Sequence, residues 1–352
     1  MAHQQLIKRS TVLISMVLVT WFLWPSSPAE VTVSVASEKQ AIKQPIEHKF
    51  LQTLTPKVTK NHTKINAEKI SSNKSAALVA KVYAAELNFP PYSQPLTSHD
   101  FDRLQPNHFN PQSIPVDDEG KQISATLSKY RYTYPEPILA TMRGENIINA
   151  TLELIDTSSG KVLLTSVFEQ EENNWYAQLD GKQDLPEQLH ATVRANVNSK
   201  TITMALALKY IDSIATLEGF GSTYSRDADM MIPVKLTTRK KGLYRVRANL
   251  FDANNQPIAH LVTKEKLAKG RTKMNLKAHQ SVLQGKQAPF YLATFSIELM
   301  SPAPGQPTKY GNSLIKKHEI KDFAVSSLSN TPYQPSEQEQ QRLKLLQQMS
   351  QD

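Results

Sequence analysis

From Tyr134 to Val325 the sequence runs in short stretches of alternating apolar and polar residues, each stopped by turn formers. ATLELID, KVLLTSVFEQ, NNWYAQL, HATVRANV and TITMALALKYI follow one another, with Ser158-Ser159-Gly160 and Asn198-Ser199-Lys200 among the turns between them. A second series holds MMIPVKLTT, GLYRVRANLFD, IAHLVTKEKL, TKMNLKAH and FYLATFSIELM. Successive strand residues point to opposite faces, so this alternation buries one face of a sheet and wets the other. No helix-length pattern of period 3.6 interrupts either series, which argues against βαβ units. Each series has roughly the length of an immunoglobulin-like module of about 100 residues. The fold class read here is all-β: two tandem immunoglobulin-like β-sandwich domains, residues 134–212 and 213–325.

Gly242 to Val262 shows the pattern best. Tyr244, Val246, Ala248 and Leu250 fall on one face, and Arg245, Arg247 and Asn249 on the other. The first set is expected in the core and the arginines outside. Ala253 to Pro257 supplies the turn, and Ile258 onward the partner strand.

The flanks are different. Lys8 and Arg9 precede an uncharged apolar run from Thr11 to Trp24, which Pro25 ends. That is the length of a signal-peptide core and short for a bilayer span. Ser27-Pro28-Ala29 offers small residues for cleavage after Ala29. The alternative is an uncleaved anchor with Trp21 and Trp24 at the interface. Residues 1–29 are therefore read as signal peptide or membrane anchor, and either choice exports the rest. Residues 30–87 are lysine-rich and aperiodic, a disordered tether with room for a short helix at 75–87. Residues 88–133 are proline-rich, and Pro outnumbers Gly 21 to 11 along the chain. Proline disfavours helix interiors and central strands, so this segment is expected to run extended. Phe89, Tyr92, Phe101 and Phe109 are its candidate clamps onto a domain. Residues 326–352 form a tail in which Ser336 and Glu339 have capping-box spacing for a short helix.

Chemistry is bounded mainly by what the sequence lacks. There is no cysteine, hence no disulfide, thiolate metal site or cysteine nucleophile. A cysteine-free exported chain suits a bacterial periplasm or surface better than an animal exterior. The motifs G-x-S-x-G, H-E-x-x-H and G-x-x-x-x-G-K-[ST] do not occur. No two of the nine histidines stand three or four residues apart. Ser71 to Lys74 and Ser313 to Lys316 match S-x-x-K, but neither context lines a pocket on a helix. Asp227 and Asp229 with Glu218 are candidate calcium oxygens, too few for a tight site. Trp175 and Tyr176 alternate onto opposite faces and cannot make one stacking platform. No cofactor is expected.

Charge is the strongest clue. Residues 134–212 carry a net −5, whereas 233–277 hold twelve bases against Asp252 and Glu265, a net +10. Arg245, Arg247, Lys235, Lys264, Lys266, Arg271 and Lys273 are the candidate contact surface. It suits an envelope polyanion, such as headgroups and sugars, or a protein partner. The same residues would also keep a sheet soluble and its edges unpaired. Nucleic acid is disfavoured, because no recognition helix or aromatic platform accompanies the bases. The membrane enters only through the N-terminal segment if it stays uncleaved.

From Leu217 to Met300 the chain carries LEGFGS, SRDADMMIPV, GLYRVRANLFDANNQPIAHL, LAKGRTKMNLKAH and QGKQAPFYLATFSIEL. This stretch resembles the C-terminal immunoglobulin-like module of the exported bacterial family called domain of unknown function 4785. The shared elements are the Gly-Leu-Tyr-x-Val strand, the Phe-Asp turn, the Leu-x-x-Gly turn and a Gly-Pro-aromatic strand start. Gln287-Ala288-Pro289-Phe290 matches the last only in part. The resemblance covers about a quarter of the chain and implies fold and export, with no catalytic residues. The expected role is a non-catalytic binding, adhesion or scaffold protein of a Gram-negative periplasm or surface, secreted or anchored. The alternative is an exported hydrolase, or an accessory module of one, with a site dispersed over loops.

Overall fold

The structure, a computed structural model, describes residues 63–118 and 120–350. The expected signal or anchor segment and the tether up to residue 62 lie outside the described residues. The protein is mostly β, built from antiparallel sheets that face each other across two apolar cores.

The core nearer the N-terminus lies between two five-stranded sheets. One runs in the order Gln112–Pro115, Gln122–Leu127, Ile138–Arg143, Asn174–Leu179, Glu169–Glu171. The other runs Arg131–Thr133, Lys200–Ile211, Gln188–Val197, Ile147–Asp156, Val162–Val167. Ile123, Met142, Leu152, Leu154, Val193 and Leu206 meet between them with no exposed surface. They are the alternate residues of their strands, as a sheet with one dry face requires. Trp175 packs against this core, while Tyr176 stands exposed on the opposite face.

The second core lies under a six-stranded sheet: Ser93–Pro95, Pro257–Leu267, Gly242–Phe251, Phe290–Leu299 and Lys309–Tyr310, with Lys317–Ile320 also on Phe290–Leu299. Facing it is a five-stranded sheet of Tyr224–Arg226, Asp229–Thr238, Ala215–Phe220 and Asn312–Ser313, with Gly270–His279 on Asp229–Thr238. Tyr244, Val246, Ala248 and Leu250 are all fully buried. The following turn is held by Asp252, whose Oδ1 accepts from the amides of Asn254 and Gln256, each at 2.9 Å. Asn255 supplies the left-handed φ of 57°.

Three expectations need correction. The tether is not featureless to residue 75: a helix spans Thr63–Glu86. It packs against a C-terminal helix, Glu337–Met349, whose Ser336–Glu339 capping box is formed. Nor is 88–133 only an extended strap, for Ser93–Pro95 is an edge strand of the second sandwich. Gln112–Pro115, Gln122–Leu127 and Arg131–Thr133 are strands of the first. Proline survives here because both Pro95 and Pro115 close short edge strands, where a missing N–H breaks no inner ladder. Finally, the sandwiches are not simply in tandem. The chain lays a strand on the second, builds the first, then returns to finish the second.

The aromatic clamps divide accordingly. Phe89 packs against the second core and Phe109 is buried in the first. Tyr92 donates from its hydroxyl to Asp229 Oδ1 at 2.8 Å. Phe101 stays exposed, edge-on to His108 with ring centres 5.1 Å apart.

Candidate functional site

The seven candidate basic residues do not share one surface. Lys235 and Lys273 face each other across one sheet, with Arg271 opposite Thr237 beside them. Arg245, Arg247, Lys264 and Lys266 belong to the other sheet. The chain changes sheets between Leu267 and Gly270, so the outer faces of the two groups point away from each other.

The two arginines also differ from the solvated side chains expected. Their neighbouring strand presents Glu298, whose side chain is only 6% exposed. Arg245 Nε donates to Glu298 Oε2 at 2.7 Å, and Arg247 Nη1 donates to Oε1 at 2.7 Å. A buried carboxylate needs such charged donors to offset its lost hydration. These guanidiniums are thus largely committed within the protein.

Where the two sheets meet, register builds a different cluster. Thr238 pairs with Gly270, and Gly242 pairs with Leu267. The links 239–241 and 268–269 therefore emerge at the same end of the sandwich. An open depression there is lined by Arg239, Lys240, Lys241, Lys266 and Lys269 around Leu243 and Leu267. All five cationic side chains are exposed, and Leu243 is exposed beside them. Among the described residues none of the five makes an ion pair. Five like charges gathered without counter-charge repel one another, and a bound polyanion would relieve that repulsion. The sequence shows the run Arg239-Lys240-Lys241, but Lys266 and Lys269 join it only through strand register.

The remaining candidates resolve locally. Asp229 accepts from Tyr92 and lies 3.7 Å from Lys277 Nζ, so its carboxylate is engaged. Among the described residues no group of three His, Asp or Glu is placed to hold a metal, so Asp227, Asp229 and Glu218 are not gathered into one. Ser313 donates to the Ile315 carbonyl at 2.6 Å. A Ser–His contact does occur: His279 Nδ1 lies 2.8 Å from Ser281 Oγ. The same Nδ1 accepts from the Ser281 amide, so the imidazole caps the short helix Gln280–Leu283. Among the described residues no helix is long and apolar enough to cross a membrane.

By fold the chain is a mostly β protein of facing antiparallel sheets, and its most distinctive surface is an unpaired cationic end. No family model and no curated protein matches the sequence. Among solved structures it is similar to a DUF4785 family protein from Legionella pneumophila, at 15% identity and a TM-score of 0.40. That likeness covers 50% of this chain and 52% of the other, so the chain spans about half the length of that neighbour. It is also similar to the native form of alpha-2-macroglobulin from Escherichia coli, at 12% identity and a TM-score of 0.30. There 56% of this chain and 14% of that one are covered.

Proposed function

We propose that the protein is a non-catalytic binding or scaffold protein of the bacterial envelope, and that the cationic end of its second sandwich contacts an anionic polymer or headgroup surface. The observation that carries the reading is the cluster of Arg239, Lys240, Lys241, Lys266 and Lys269, which has no acidic partner among the described residues. Export is supported by the basic Lys8-Arg9, the apolar run to Trp24 and the small residues before Glu30, together with the absence of cysteine.

The test is binding of the full chain to vesicles with anionic headgroups, and to dextran sulfate, across a salt series. Exposed charges are screened within about 10 Å at 0.1 M salt, so affinity falls as salt rises. Each lysine near an anionic surface contributes about 1 kcal/mol, so Lys240→Ala, Lys241→Ala and Lys269→Ala together weaken binding about 100-fold. Retention indifferent to salt and to the triple change defeats the reading. N-terminal sequencing of exported protein tests the leader: a start at Glu30 supports cleavage, and an intact Met1 rejects it.

A further inference from the structure

A pocket of about 250 Å³ lies where the Phe101–Leu104 helical turn crosses the outer face of the six-stranded sheet. Arg103 and Pro106 close it from the strap side, and Arg247, His260, Thr294 and Ser296 line it from the sheet. The strap is fixed at this point. Asn249, fully buried, donates from Nδ2 to the Arg103 carbonyl at 2.6 Å.

The sheet is distorted under the pocket. Arg247 pairs with Ser296 and Asn249 with Ala293, so Thr294 and Phe295 together oppose Ala248. This bulge holds Thr294 at a φ of 59°, a left-handed conformation that β-branched residues rarely adopt. Bulges re-aim side chains, and both hydroxyls flanking Phe295 line the cavity. A strained residue at a cavity wall is a pointer to function rather than to stability.

The polar groups have fixed roles. Because Asn249 Nδ2 is donating, its Oδ1 is the acceptor facing His260 Nδ1 at 2.7 Å. That fixes the proton on Nδ1 and leaves Nε2 an acceptor without a hydrogen-bond partner among the described residues. Burial, then Arg103 and Arg247, push the imidazole down to about 4, with Asp100 opposing, so the ring is neutral at ordinary pH. Arg103 makes no ion pair among the described residues, and Arg247 spends Nη1 on Glu298. The pocket thus joins two guanidiniums and the Thr294 hydroxyl as donors to one imidazole acceptor, while the Ser296 hydroxyl donates to Glu298 Oε1 at 3.5 Å. Asp102 lines the same pocket and opposes a second negative charge.

We infer that this pocket binds a small 2-hydroxy monocarboxylate: the carboxylate against Arg103 and Arg247, the hydroxyl donating to His260 Nε2. Guanidinium groups match a carboxylate with paired donors. The volume suits a few heavy atoms rather than a polymer. The inference goes beyond the polyanion reading and uses none of its five residues.

Calorimetric titration of the full chain with lactate and with propionate tests it. Lactate is expected to bind about tenfold or more tightly than propionate, because the acid without a hydroxyl leaves His260 unpaired. Arg103→Ala, an exposed site, is expected to weaken lactate about tenfold or more. Thr294→Gly is expected to weaken lactate while the melting temperature holds or rises, since glycine accepts that φ freely. The triple lysine variant is expected to bind lactate normally, which separates this result from the polyanion test. Absence of heat with lactate at about 10 mM, beyond the weak end of useful affinities, overturns the inference. So does equal binding of the two acids, or lactate affinity unchanged by Arg103→Ala.

Discussion

Arg245 Nε donates to Glu298 Oε2 at 2.7 Å, joining two residues 53 positions apart on neighbouring strands. With Arg247 on the other oxygen, the almost buried carboxylate is held from both ends. Changing both arginines to alanine strands a charge away from water. Buried pairs broken on one side cost about 3–5 kcal/mol, and the partial exposure of the guanidiniums lowers the expectation to about 2–4 kcal/mol. Urea denaturation of the double variant measures it; a loss below about 0.5 kcal/mol would show the pairs to be incidental. The same result makes Arg245 and Arg247 poor choices for testing ligand contact, since binding and folding would fail together.

A fragment of residues 134–325 is expected to be much less stable than residues 63–352. It lacks three strands of the first sandwich and the Ser93–Pro95 edge of the second. It also strips buried Phe109, Ile123, Leu127 and Tyr132 from the first core. Each such side chain contributes about 1.5–3 kcal/mol of burial, and the four together are comparable with the whole margin of about 5–15 kcal/mol that a typical folded protein has. Thermal melts followed by circular dichroism decide the point, and a cooperative fragment melt near that of the longer chain would refute it.

Acid is expected to destabilise the second sandwich. Folding depresses the proton affinity of His260 to about 4, mainly by burial. An unfolded histidine titrates near 6.5, so the unfolded chain binds the proton first as pH falls. The contribution is complete above about 6.5 and is lost between there and about 4. His279 and His318 are lowered in the same direction by burial, against the opposing carboxylates of Asp229 and Glu319. Melting temperatures at about pH 7.5 and about pH 5 are expected to differ by more in the wild type than in His260→Gln. An identical pH response in both would sink the assignment.

Ser336 accepts from the Glu339 amide at 3.3 Å, and Glu339 Oε2 accepts from the Ser336 amide at 2.7 Å. Ser336→Ala is expected to cost about 1 kcal/mol, confined to the C-terminal helix. Amide hydrogen exchange over residues 337–340 reads this directly. Unaltered protection there would mean that packing against the N-terminal helix, rather than the cap, holds the turn.

Long central strands were legible in the sequence because ten alternating residues leave one assignment of faces. Tyr244, Val246, Ala248 and Leu250 are the case in point, all fully buried. Three-residue edges such as Ser93–Pro95 carry no period, and their prolines argue the other way. Face was readable for Arg245 and Arg247, but partner was not, because Glu298 reaches them through long-range register. The cationic end was half visible as Arg239-Lys240-Lys241, and its other half depends on where Gly270 pairs. The pocket beside His260 left no local signal at all. It needs a bulge, a strap and two strands brought together from four separate stretches of chain.

The interleaved chain path has a mechanical consequence. The Thr63–Glu86 and Glu337–Met349 helices lie against each other, while the first sandwich is inserted between two passes through the second. A pull applied to the chain before Thr63 and after Met349 would load the helix pair first. The inserted sandwich would lie off that line of tension, keeping its strands paired while the latch gives way.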